Sequence, residues 1–166
     1  MLFRSTPTPT ATATPSPTHT STTVPSEPPL PAQWSAAYYA NPDLSEPAAL
    51  TQIDAELNFD WGVGSPGAGI PADGFSARWI GDIFLQAGTY AYTVTVDDGC
   101  HVWVDGQLVV DEWHSTGGAI YPFEVALQGG NHTFVVEYLE VTGSAYIRLS
   151  GGSAPAPLPA EQPPTP

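Results

Sequence analysis

Two adjacent acids, Asp97 and Asp98, followed by Gly99, carry the most suggestive chemistry in this sequence. An alternating apolar stretch, Val94-Thr95-Val96, runs into them, and a second one, Cys100-His101-Val102-Trp103-Val104, runs out of them into Asp105-Gly106. Neighbouring side chains of a strand point to opposite faces. Asp97 and Asp98 therefore serve one site only if the backbone between them is distorted. Two carboxylates at a strand end, beside a flexible glycine, suit a hard cation. The same tripeptide also suits a plain hairpin turn, and both readings stay open on these residues alone.

Other reactive residue types form no pattern of comparable weight. His101 and His114 lack the paired spacing of a zinc site. No nucleophile elbow accompanies the serines, and nothing selects two of the carboxylates as a glycosidase pair. Gly62-Val63-Gly64-Ser65-Pro66-Gly67 fits the dinucleotide spacing in form only, since no helix opens into Gly69-Ile70-Pro71. The lone Cys100 has no disulfide partner in the chain and reads as a small buried hydrophobe. No catalytic residue emerges, and the chain reads as a non-enzyme.

Charge narrows the partners. Three Lys and Arg against 17 Asp and Glu give a formal net charge of -14. That opposes nucleic acid and anionic membranes, which need a basic surface, and favours cations, neutral sugars or basic partners. The excess of acid also suits simple solubility. No apolar run approaches the roughly 20 residues of a membrane span. Met1-Leu2-Phe3-Arg4 leads into Thr and Pro rather than a hydrophobic segment, so any export signal is expected elsewhere or in a longer parent.

The positioning elements are expected to be strands throughout. Residues 1–33 form an arm or linker dominated by Thr, Pro and Ser, in which proline excludes helix and central strand. Such a segment is extended, and it suits O-glycosylation outside the cell. A Pro-rich tail covers residues 152–166. Between them, residues 34–151 hold short alternating runs: 34–40, 53–61, 75–85, 89–96, 100–104, 107–110, 119–127, 132–141 and 144–150. Gly81 marks an expected bulge in the third run, and Asp105-Gly106 a two-residue hairpin. The expected class is an all-β antiparallel sandwich. Trp61, Trp79 and Trp103 read as core, Arg78 and Arg148 as ion-pair partners, and Asn131-His132-Thr133 as a glycosylation sequon.

Several motifs, in order, make the middle of the chain resemble the PA-fourteen domain, the family named after the N-terminal part of anthrax protective antigen. They are Trp34…Tyr38-Tyr39, Phe59-Asp60-Trp61-Gly62, Phe75-Ser76-Ala77-Arg78-Trp79-Ile80-Gly81, Asp97-Asp98-Gly99, Val102-Trp103-Val104-Asp105-Gly106, Trp113 and Val136-Glu137-Tyr138. The resemblance implies a β-sandwich used in flocculins, adhesins and some glycosidases as a carbohydrate-binding or adhesion module. In lectin members an Asp-Asp pair joined by a cis peptide holds calcium, which binds sugar hydroxyls. Asp97 and Asp98 match that pair. A second loop supplies a side-chain oxygen and backbone carbonyls. Here that loop places Glu140 where flocculin-type members have asparagine, with Thr142 and Ser144 as carbonyl donors. Trp113 and His114 are the expected sugar-contacting wall.

The resemblance thus implies a secreted or cell-surface, calcium-dependent glycan-binding module. Two alternatives stand beside it. One is a structural subunit of an extracellular assembly or filament, self-associating through the N-terminal arm. The other is an accessory domain of a larger glycosidase.

Overall fold

The structure, a computed structural model, describes residues 29–151. The expectations for residues 1–28 and 152–166, arm extension and tail included, lie outside the described residues. Ten strands account for the domain: β1 (Trp34–Tyr39), β2 (Leu50–Asp54), β3 (Asn58–Gly62), β4 (Phe75–Leu85), β5 (Gly88–Asp97), β6 (Gly99–Val104), β7 (Gln107–Glu112), β8 (Ala119–Leu127), β9 (Gly130–Glu140) and β10 (Ala145–Gly151). They form a six-stranded sheet, β2-β1-β4-β9-β6-β7, and a four-stranded sheet, β3-β10-β5-β8, with every pairing antiparallel. Among the described residues there is no helix, and none long and apolar enough to cross a membrane.

Alternation places the core between the sheets. Trp34, Tyr38, Phe75, Trp79, Phe134, Val136 and Tyr138 from the larger sheet meet Tyr92, Val94, Val96 and Ile147 from the smaller one, all nearly or fully buried. Cys100 is buried there too, and burial pushes its thiol up to about 12. Trp79 belongs to this core, whereas Trp61 is half-buried against it and Trp103 lies half-buried on the outer face. Asp105 (φ 52) and Gly106 (φ 77) make the expected tight hairpin, both in the left-handed region of a type I′ turn.

Three expectations need correction. The run 53–61 is not one strand: β2 ends at Asp54 and β3 begins at Asn58, in the other sheet. Buried Asp54 provides the break, taking hydrogen bonds from Tyr38, Trp79 and Gln52. Gly81 is not a bulge, because β4 pairs with β9 in unbroken register through Gly81↔Phe134. Its missing side chain instead makes room for Pro31 and Trp34, which a Cβ would approach to 2.7 and 2.9 Å. Asp97-Asp98-Gly99 is not a hairpin turn either. Asp97 closes β5 in the smaller sheet and Gly99 opens β6 in the larger, so Asp98 is the step where the chain crosses between sheets.

Both ends of the domain meet at Tyr92. Its hydroxyl donates to the Pro29 carbonyl at 3.3 Å, and its backbone pairs with Gly151. Asp97 lies five residues further along β5, about 17 Å away at the usual strand rise, so the crossover forms a pole away from both ends of the domain.

Candidate functional site

That far pole is built by the crossover and three loops. Gly99 lets residues 112–114 pass over it: a Cβ there would stand 2.7 Å from the Glu112 carbonyl and 2.8 Å from the backbone of His114. The loop after β7 thereby reaches Asp98. Asp98 is 1% exposed, and its polar atoms are fully engaged. Oδ1 accepts from Ser115 Oγ and Thr116 N, each at 2.8 Å. Oδ2 accepts from Val141 N at 2.7 Å and Thr142 N at 3.3 Å. Its carbonyl accepts from Thr116 Oγ1 at 2.8 Å, and its own N–H donates to the Leu139 carbonyl at 3.3 Å. The Asp97–Asp98 peptide is cis.

Asp97 and Glu140 are the reverse case. Among the described residues no donor reaches the Asp97 carboxylate. Burial, then the neighbouring Asp98 charge, raises its pKa above the ordinary carboxylate value. Glu140 ends β9 on the inner face with 0% exposure, and among the described residues its Oε1 has no hydrogen-bond partner. Burial pushes its carboxyl up to about 7, with the charges of Asp98, Asp97 and Asp73 adding to the rise. Tyr138 lies between them. Its hydroxyl donates to the Asp97 carbonyl and stands 2.8 Å from Glu140 Oε2. One phenol O–H donates to only one of these two acceptors at a time, so the Tyr138 hydroxyl is shared between the Asp97 carbonyl and Glu140 Oε2.

The expected site residues thus divide. Asp97, Asp98 and Glu140 converge on one pole, and the backbone of the 141–144 loop comes with them. Thr142 offers Asp98 its N–H, and Ser144 lies at the other end of that loop, just before β10. Trp113 goes elsewhere. Its ring stacks on His101 at 4.8 Å and 18° on the outer face of the larger sheet, which takes one of its two faces. His114 is exposed, and its hydrogen bond to Glu112 Oε2 raises its pKa.

Sequence reasoning missed Asp73, whose Oδ1 accepts from Gly143 N at 2.9 Å and ties the long loop after β3 to the tip. It also missed Ser115, Thr116 and the Tyr138 hydroxyl. An Asp-Gly pair at 73–74 signals only a turn, so its partner seventy residues on is invisible locally.

Beside this pole, the outer face of the larger sheet carries a cross-strand ionic row in register. Arg78 gives Nε and a terminal nitrogen to Glu137 Oε1 at 2.8 and 2.6 Å. His101 lies between Glu137 Oε2 at 3.2 Å and Asp111 Oδ1 at 3.0 Å. Arg148, the other Arg of the described residues, donates to Asn58 instead of an acid.

As a receptor for an ion, the tip offers hard oxygen donors only, with two carboxylates unspent and one buried oxygen orphaned. That chemistry fits calcium. Among the described residues no three His, Cys, Asp or Glu side chains form a ready-made cage, so carbonyl oxygens and water would have to complete the set.

Fold and tip together define an antiparallel β-sandwich with an acidic, loop-built pole at the crossover between its sheets. The family model of the PA14 domain matches residues 31–152, and the chain belongs to that family. It is 33% identical over 118 residues to the Anti-sigma-I factor RsgI3 of Acetivibrio thermocellus, a match covering 70% of this chain and 18% of that protein. This chain therefore spans under a fifth of that relative's length. The solved structure of an anti-sigma factor domain-containing protein from Clostridium clariflavum is 30% identical, with a TM-score of 0.68, over 75% of this chain and 42% of that one. The PA14 sugar-binding domain from an RTX adhesin shares the fold at 22% identity and a TM-score of 0.56, over 72% of this chain and 89% of that one.

Proposed function

We propose that this chain is a non-catalytic carbohydrate-binding module of an extracellular or cell-surface protein, and that it takes sugar hydroxyls through a calcium ion at the tip. The observation that carries the reading is the orphaned, fully buried Glu140 Oε1 beside an Asp97 carboxylate that no donor reaches. Uncompensated buried carboxylate is costly, and a divalent cation is the direct remedy. Asp97 and Glu140 would hold the ion, with carbonyls of the 141–144 loop, Thr142 and Ser144 among them. Bound calcium would supply open coordination positions that a vicinal diol fills in place of water. The loop with Trp113 and His114 would flank the sugar, through the Trp113 face that His101 leaves free.

The diol competes with bulk water for those positions. One sugar should therefore bind in the high micromolar to millimolar range, about -4 to -6 kcal/mol, with useful adhesion coming from several copies. Calorimetry with calcium, followed by a glycan panel with and without chelator, tests this. Calcium binding and chelator-sensitive glycan signal are expected. Folded protein that binds no glycan at millimolar sugar in excess calcium overturns it.

A second reading rests on the anti-sigma relatives at 30% identity and above. On it, the module is the ligand-sensing part of a larger regulatory protein, with the Thr/Pro-rich segments as its spacers. The two readings share the tip and differ only in what the bound sugar is used for.

A further inference from the structure

The two adjacent acids are chemically alike, and their surroundings are opposite. Asp98 is 1% exposed and receives four donors on its carboxylate: Ser115 Oγ, Thr116 N, Val141 N and Thr142 N. An ionised carboxylate has about four lone-pair positions. Each is taken, two by the loop after β7 and two by the loop after β9. Asp98 also closes both backbone bonds, to Thr116 Oγ1 and to the Leu139 carbonyl. An ion that used this carboxylate would have to displace these charge-assisted hydrogen bonds.

We infer that Asp98 is a positioning residue, the anchor that fastens both tip loops to the sheet crossover without metal, and that Asp97 and Glu140 are the acids left to face an ion. The inference rests on the calcium reading for its second half only. The anchor half stands on hydrogen bonds within the chain. Its consequence is that the shape of the tip should not depend on an ion or sugar, because the N–H groups of Thr116, Val141 and Thr142 take their acceptor from the chain itself.

The test uses the full chain in chelator and in excess calcium, with melting curves and backbone amide exchange. In chelator, the Thr116 and Val141 amides are expected to be strongly protected. Asp98→Asn turns an amide N–H₂ against backbone donors, so its melting temperature is expected to fall by about 5–10 °C, equally in chelator and in calcium. Asp97→Asn is expected to melt like the unmodified chain in chelator and to lose the rise that calcium gives.

If Asp98→Asn does not fold, Ser115→Ala and Thr116→Val each remove one hydroxyl donor. Each is then expected to lower the melting temperature in chelator by about 2–5 °C. Amides that gain protection only when calcium is added, or an Asp98→Asn penalty that vanishes in chelator, would overturn the anchor. A chain in which calcium moves no melting temperature, while the chelator results hold, sinks the calcium reading and leaves the anchor standing.

Discussion

The ionic row on the larger sheet and the acidic tip share strand β9, which carries both Glu137 and Glu140, yet they are opposite electrostatic solutions. In the row, Glu137 and Asp111 each face a nitrogen: Arg78 on one side, His101 between them. At the tip, Asp73, Asp97, Asp98 and Glu140 act on Glu140 or on one another only as like charges, and no Arg lies among them. The two Arg of the described residues are both spent elsewhere, on Glu137 and Asn58. Side-chain type therefore does not distinguish a structural acid from a functional one. What distinguishes them is whether the surrounding strands supply the neutralising partner or leave it to come from outside.

The sharpest way to break that contrast is to vary pH with no metal present. Glu140 has its carboxyl raised from 4.5 to about 7 in the fold. A raised acid binds its proton more tightly when folded. Its contribution is thus fully present below pH 4.5 and is lost as pH rises through about 7, and Asp97 acts in the same direction. The gap corresponds to roughly 3 kcal/mol. Denaturant melts of the chelated protein should show stability falling across that window. Glu140→Gln should flatten the fall and also remove the stabilisation by calcium, about 2.7 kcal/mol at a hundred times Kd. A profile for the unmodified chain that is level from pH 4.5 to 7 would return Glu140 to the class of satisfied acids.

The row should respond to loss of its cation instead. Arg78→Gln leaves Glu137, 7% exposed, with His101 alone. The expected cost is about 1–2 kcal/mol, below that of a fully buried pair because the Arg78 side chain is 37% exposed. The loss should be the same in calcium and in chelator, which urea melts in both buffers would check.

The smallest effect belongs to a third pair, at the β6–β7 hairpin. His132 Nδ1 lies 2.7 Å from Asp105 Oδ2, and each shifts the other: His132 is raised from 6.5, and Asp105 is lowered from 3.8. The histidine half is fully present below pH 6.5 and is lost as pH rises through its folded value. The aspartate half is present above pH 3.8 and is lost as pH falls through its own. The pair is thus at full strength between those limits. Asp105→Asn, which keeps the turn residue type, should cost up to about 1 kcal/mol at pH 5.5 and less at pH 8.5. Equal costs at the two values would show the pair contributes nothing.

Much of this was legible in the residues. Period-two alternation in Tyr90, Tyr92, Val94 and Val96 marks an inward face that is buried or half-buried, and Asp105-Gly106 marks the β6–β7 hairpin because few dipeptides tolerate two left-handed residues. Asp97-Asp98 stood out because alternation would separate two acids. What stayed hidden depends on pairings far along the chain. Gly81 reads as a bulge until Pro31 and Trp34 are seen against it. The run 53–61 reads as one strand until Asp54 is seen holding Tyr38 and Trp79. Asp98 stands out as an acid beside Asp97, but the two loops that reach it, 17 and 43 residues away, leave no mark in its local sequence. Local pattern reports which face a residue takes, and it carries no information about which distant donor arrives there.

The meeting of both domain ends at Tyr92 has a mechanical consequence. Tension applied through the Thr/Pro-rich segment before the domain and the Pro-rich segment after it would enter at Pro29 and at Gly151, both against the same tyrosine. The force path between those two points is short, and the crossover, the Asp98 loops and Glu140 lie beyond it, on the far side of the core. A pull on the flanking segments therefore acts first on Leu30, Pro31 and the end of β10, and leaves the opposite pole unstrained. On the proposed reading, a ligand held at the tip would lie off the line between the two points where the flanking segments join the domain.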